Sequence, residues 1–231
     1  MALVKFGAGI ADMRGSIGGT TFARNRFGAV ARNRTVGVNP QSARQQQMQQ
    51  IISQLTPYWN QTMTAANRSL WNAYAAAVAW TNKLGETQFL TGFNMFVRSN
   101  SARLQAAAAI VPAGPAIMSL PEQDSSIVAI ITASSQLISL AFDNTQPWAH
   151  ETGGYMLVKQ GTPVNATRNF FKGPWRYAGK IVGNTSTAPT SPQTMSCPFT
   201  VAVGQKVYIE CRISRADGRL SNPFCVSSTV V

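Results

Sequence analysis

Acidic residues and histidine are what this sequence has least of. Its 231 residues include 8 Asp and Glu and one His against 20 Lys and Arg, a formal net charge of +12. The carboxylates, Asp12, Glu86, Glu122, Asp124, Asp143, Glu151, Glu210 and Asp217, are too scattered to suggest a metal site or the paired acids of a glycosidase. His150 beside Glu151 is the one candidate acid–base pair, and no nucleophile or second ligand stands at a recognisable spacing from it. General acid–base chemistry has few candidates here. The expectation is a protein without enzymatic activity and without a cofactor or metal.

Cysteine is also sparse. Cys197, Cys211 and Cys225 form an odd set with no CxxC and no Cys/His clustering, which argues against a disulfide framework and against structural zinc. Buried, reduced thiols are expected. Long apolar runs are missing as well. No window approaches the roughly 18 apolar residues of a membrane span, and "MALVKFGAGIADM" has no continuous apolar core of a secretory leader. A soluble protein made and used without secretion, with no membrane partner, is the expectation. The glycines of "GAGIADMRGSIGG" match neither G-x-G-x-x-G after a strand nor a Walker loop, so they read as flexible backbone rather than a phosphate cradle.

What is present is positive charge, unevenly placed. Residues 1–105 carry 11 basic and 2 acidic groups, whereas residues 106–231 carry 9 and 6. The first half is built to meet something negative. Within it, "RGSIGGTTFARNRFGAVARNR" (14–34) holds five arginines, four glycines and no acid. "TTFARNRFGAVARNR" alternates large and small side chains around Gly28, a strand signal. A three-residue loop Arg26-Phe27-Gly28 would place Phe22, Arg24, Val30, Arg32 and Arg34 on one arginine-rich face and small residues on the other. An isolated hairpin is marginal in water. Residues 1–38 are therefore expected to be an extended basic arm with at most one hairpin, ordered on a partner and able to reach on the order of 130 Å.

Helical periodicity follows over residues 39–105. Asn39 with Pro40 reads as a helix start, and Met48, Ile51, Ile52, Leu55 and Trp59 recur at three-to-four spacing, with Pro57 expected to kink or end the helix. A second helix is predicted from Thr64 to Trp80, stopped by Asn82–Gly85, and a third after Thr91 with Phe93, Phe96, Val97 and Leu104 inward. The aromatic groups Tyr58/Trp59, Trp71/Tyr74/Trp80 and Phe89/Phe93/Phe96 read as packing residues of a small three-helix bundle. Residues 106–124, with Pro112, Pro115 and Pro121, read as a semi-rigid linker. Seven short β-type runs separated by turn residues then fill residues 125–231 and predict a two-sheet sandwich.

That C-terminal region resembles a fibronectin type III or immunoglobulin-like module. "VYIECRISRADGRLSNP" looks like its last two strands, with Tyr208 where such modules keep a structural tyrosine. The whole chain is similar to a group of phage and prophage virion-associated proteins through "GSIGGTTFARNRFGAVARNRTVGVNPQSA", "ANRSLWNAYA", "LTGFNMFVR" and "ADGRLSNP", in that order. The resemblance implies a virion component, localised to a particle assembled in the bacterial cytoplasm. The expected fold is α+β and multidomain: arm, α-helical bundle and β-sandwich.

The function expected from residues and resemblance together is a minor capsid, cement or decoration protein. A head-to-tail connector or tail component is one alternative, and a DNA-binding packaging accessory protein is another. Arg14, Phe22, Arg24, Arg26, Val30, Arg32 and Arg34 are the expected docking residues, and the partner is the major capsid protein or another virion protein. Arginine forks suit phosphate and carboxylate alike, so nucleic acid stays an alternative partner, though aromatics for base stacking are sparse in the arm. Alanine-rich helix faces suggest a homo-oligomer, trimeric or matched to a ring. Phe170, Phe171, Trp175 and Arg176 crowd a turn-rich stretch of the sandwich. They read equally as an interface anchor or as rings folded onto the sheet.

Overall fold

The computed structural model describes residues 2–35 and 37–231, and the positions 1 and 36 lie outside the described residues. It is a mixed α/β chain of three helices and several antiparallel sheets. The elements run β1 (Ala2–Val4), β2 (Gly15–Ile17), β3 (Thr20–Asn25), β4 (Gly28–Asn33), α1 (Ala43–Pro57), α2 (Ala65–Ala77), β5 (Ala79–Thr81), β6 (Thr87–Phe89) and α3 (Gly92–Gln105). The sandwich strands follow: β7 (Val128–Thr132), β8 (Leu137–Ala141), β9 (Tyr155–Gly161), β10 (Trp175–Val182), β11 (Gln193–Ser196), β12 (Lys206–Ser214) and β13 (Phe224–Thr229).

The N-terminal segment departs from the expected extended arm. It folds within the one chain as a four-stranded antiparallel sheet, β1-β4-β3-β2. The hairpin loop is also shorter than expected. Asn25 pairs with Gly28, so Arg26 and Phe27 alone make the turn, and Gly28 takes φ +118, open to glycine at no steric cost. Shortening the loop by one residue reverses which side chains share a face. Phe22 now faces Ala31 and Arg24 faces Ala29, while Val30 and Arg32 lie on the opposite side with Ala23 and Thr21. The single arginine-rich face does not form.

Local chemistry explains the helices. Thr64 Oγ1 accepts from Asn67 N–H at 3.3 Å and Thr91 Oγ1 from Asn94 N–H at 3.1 Å, capping α2 and α3 where the sequence places their starts. The first helix starts later than Asn39-Pro40. Gln41 sits at φ 49 and breaks the helical path, leaving Ser42 to cap α1. At its other end α1 stops at Pro57 and passes into a π-helical turn, Tyr58–Thr62. The second helix ends at Ala77 rather than Trp80, because Ala79–Thr81 pairs with Thr87–Phe89 in a small hairpin. Leu55, Trp71, Tyr74, Met95 and Phe96 fill the helical core, each fully buried. Ile52, on the same periodic series, is left exposed.

All seven predicted β runs are strands. The sheets β10-β9-β12-β13 and β11-β8-β7 face each other across one core, an arrangement compatible with a β-sandwich. Ile131, Ile138 and Leu140 from one sheet meet Met156, Val158, Ile209 and Ile213 from the other, each contributing about 1.5–3 kcal/mol of burial.

Residues 106–124 contain no helix or strand, yet they do not act as a spacer. Asn100 Oδ1 accepts from Val111 N–H at 2.7 Å, Pro112 C=O accepts from the Trp71 indole at 3.0 Å, and Pro115 and Pro121 are buried. The segment is strapped onto α2 and α3. A small cluster of Ala106, Leu157 and Leu220, with Tyr155 and Tyr177 beside it, then joins α3 to the outer face of the larger sheet.

Candidate interaction surfaces

Most carboxylates are already spoken for. Glu151 pairs with Arg215 and accepts from Ala216 N–H at 2.6 Å, so it is not free to work with His150, which lies exposed. Asp124, 3% exposed, accepts from the backbone N–H groups of Ser126 and Asp143 at 2.8 and 2.9 Å. Glu210 holds Lys159 at 2.9 Å and Arg212 at 3.7 Å, and Asp217 holds Arg219 at 2.7 Å. Among the described residues no three His, Cys, Asp or Glu side chains stand close enough to share a metal ion. Of the thiols expected to be buried, only Cys211 is: Cys197 is half-buried and Cys225 exposed, and desolvation raises the pKa of all three, so they stay protonated at neutral pH. Among the described residues, no helix is long and apolar enough to cross a membrane.

The N-terminal sheet is the first surface. Within its strands only Val30 is buried, at 5% exposure, so the sheet has almost no core of its own. Arg14, Arg24, Arg26, Arg32 and Arg34 are all exposed. Asp12 lies 3.1 Å from Arg14 and 3.9 Å from Arg24. Among the described residues Arg26, Arg32 and Arg34 have no carboxylate within 4.0 Å. The guanidiniums are distributed over both faces and the turn: Arg24 beside Phe22, Arg32 on the opposite side and Arg26 at the tip. The sheet is moored to the β5–β6 hairpin by Lys5–Glu86 at 2.7 Å and by the Gln88 amide donating to Phe27 C=O at 3.1 Å. Their hydrogen bond raises the pKa of Lys5 and lowers that of Glu86.

The second surface is the segment 162–174 between β9 and β10. Phe171 lies on the sheet, its ring over Gly161, where any Cβ would overlap it. It stacks on Tyr208 at 5.4 Å between centroids and meets Trp175 edge-on at 4.9 Å. Phe170 instead stands 64% exposed, with the Arg168 guanidinium 5.2 Å from its ring. Phe171 and Trp175 are thus folded onto the sheet, and Phe170 alone of the three rings stands in solvent. Arg176 is separated from this group. Its strand neighbour Trp175 pairs with Gly161, while Arg176 pairs with Gln160 and so faces the other way, stacking on Phe199 at 4.1 Å and donating to Pro198 C=O at 3.2 Å. Tyr208 also has an unexpected role: its hydroxyl donates to Arg168 C=O at 2.7 Å and holds this segment down.

Two arginines that charge counting could not single out are structural. Arg98 donates to Leu220 C=O at 2.6 Å and Ser221 C=O at 2.8 Å, and burial lowers its pKa to about 10. Arg103, 4% exposed, donates to Ala109, Gly153 and Arg215 carbonyls and to Ser214 Oγ. Both tie α3 to the sandwich. An arginine serving carbonyls looks the same in sequence as one serving a partner.

No protein-family model matches this chain, and no curated protein does. Two solved structures show distant likeness. One is a family 76 glycoside hydrolase from a bovine Bacteroides thetaiotaomicron strain, at 12% identity and TM-score 0.33, covering 47% of this chain and 20% of that one. The other is the adhesin domain of Epf from Streptococcus pyogenes, at 9% identity and TM-score 0.31, covering 49% and 33%. The chain thus spans a third or less of either, and likeness at this level carries no functional argument.

Proposed function

We propose that this chain is a structural component of a bacteriophage virion, in the class of minor capsid, cement or decoration proteins, docking through its N-terminal sheet. The observation that carries the reading is a sheet that buries one side chain while exposing five arginines beside a single acid. Such a sheet gains more by covering its faces with a negative neighbour than by standing in water. The order of motifs shared with phage virion-associated proteins supplies the setting, with the major capsid protein or another virion protein as partner. Self-association, trimeric or ring-matched, belongs to the same reading.

We read the C-terminal domain as fibronectin type III-like or immunoglobulin-like. Its three-plus-four antiparallel arrangement supports this, and Tyr208 departs from it by bonding a loop 40 residues away rather than a nearby turn. The sandwich by itself carries no activity.

Substituting Arg24, Arg26, Arg32 and Arg34 together by Gln, in cells that assemble the particle, tests the proposal. The variant should be lost from purified particles while staying folded. Normal incorporation overturns the docking role. A chain that binds duplex DNA at low salt, loses it steeply by physiological salt and never enters particles belongs to the DNA-accessory reading instead.

A further inference from the structure

We propose that the segment 162–174 is a preorganised docking platform for a second, acidic protein, with Phe170 as its anchor. The segment has no regular secondary structure beyond an isolated bridge at Val164, yet its conformation is held before any partner arrives. Val164 and Lys206 exchange two backbone hydrogen bonds at 2.9 Å, and the Tyr208 hydroxyl holds Arg168 C=O at 2.7 Å. Phe171 is clamped between Tyr208 and Trp175 over Gly161. A partner therefore meets a fixed surface and spends little on ordering it.

The chemistry of that surface selects the partner. Phe170 is 64% exposed, and Arg168 both lies over its ring and donates to its carbonyl at 3.0 Å. An exposed ring flanked by arginine is the composition of an interface centre. Arg168, Lys172 and Lys206 have no carboxylate within 4.0 Å among the described residues, and the nearby Glu210 already serves Lys159 and Arg212. The platform is thus a cationic rim around one apolar anchor. A second copy meeting this platform through its own would set cationic rim against cationic rim, a poor complement. Single-stranded nucleic acid would want successive open rings, and here Phe171, Trp175 and Tyr208 occupy one another. An acidic protein surface surrounding an apolar cleft fits both features.

The test uses the full chain carrying Arg24→Gln, Arg26→Gln, Arg32→Gln and Arg34→Gln, so that failure here is independent of the N-terminal proposal. Three probes are titrated at physiological salt: a random Glu–Tyr copolymer, poly-Glu and a single-stranded oligo-dT. The copolymer should bind tightest. Phe170→Ala, at an exposed site with unchanged melting temperature, should weaken the copolymer about 10-fold or more while leaving poly-Glu nearly unchanged. Phe170→Trp should retain copolymer binding, and Arg168→Gln with Lys172→Gln should weaken both polymers. Copolymer affinity indifferent to Phe170→Ala overturns the proposal, as does a preference for oligo-dT.

Discussion

Arg103 is the residue on which the joint between helices and sandwich most depends. It is a buried cation with no carboxylate within 4.0 Å among the described residues, and burial pulls its pKa down from the ordinary arginine value. Its guanidinium is satisfied instead by three backbone carbonyls and one hydroxyl: Ala109 in the strap, and Gly153, Ser214 and Arg215 at the one end of the sandwich where the start of β9 pairs with the end of β12. Truncation takes the shared donor from four acceptors at once, though Arg215 C=O keeps the Gly218 N–H at 3.1 Å, so Arg103→Ala should cost about 3 kcal/mol, read from the urea midpoint. Arg103→Lys should recover only part of this, since an ammonium lacks the planar fork that reaches several acceptors at once. An alanine variant as stable as the parent would remove the joint from this account. Nothing in the sequence separates Arg103 from Arg32, because the distinction is made by what folds over each.

Elements were legible where their signals are local. The cap threonines Thr64 and Thr91 mark the starts of α2 and α3 because a hydroxyl three residues ahead of an open N–H is a short-range arrangement. Thr91→Ala should lower stability by about 1 kcal/mol, visible as a lower melting temperature. The loss should extend to the sandwich, since α3 carries both Arg98 and Arg103. Seven β runs were legible for a similar reason, each bounded by its own turn residues. Harder to see was β5–β6, three residues a side, which takes its pairing from the hairpin and from the N-terminal sheet resting against it. The loop at Arg26-Phe27 is one residue shorter than its sequence suggests, and that difference alone puts the arginines on two faces.

At the scale of the whole molecule, alkali is the condition that exposes its weak point. Burial raises the hydroxyls of Tyr74 and Tyr177 from 10.0 to about 12, in the helical core and beside the α3 joint respectively. The folded state holds these protons more tightly than the unfolded chain. Their contribution is therefore fully present below pH 10 and lost as pH rises from 10 towards 12. Tyr74 accounts for on the order of 2 kcal/mol of that loss. Denaturation midpoints should fall across this window in step with tyrosinate absorbance, and Tyr74→Phe should flatten the fall. A flat profile in the parent would mean that both rings are open to water. The strap and the two arginines also predict that helices and sandwich melt together in one transition.

Sequence alone determined the division of labour: a basic first half, helices with their threonine caps, and seven strands. Those properties are local or compositional, and they survive without knowing what lies next to what. Tertiary structure decided whether the N-terminal segment folds on its own chain, which arginines stay free and which are consumed by carbonyls, and that Phe170 stands out while Phe171 lies down. Each of these depends on which surfaces come together, and a residue's type leaves that open.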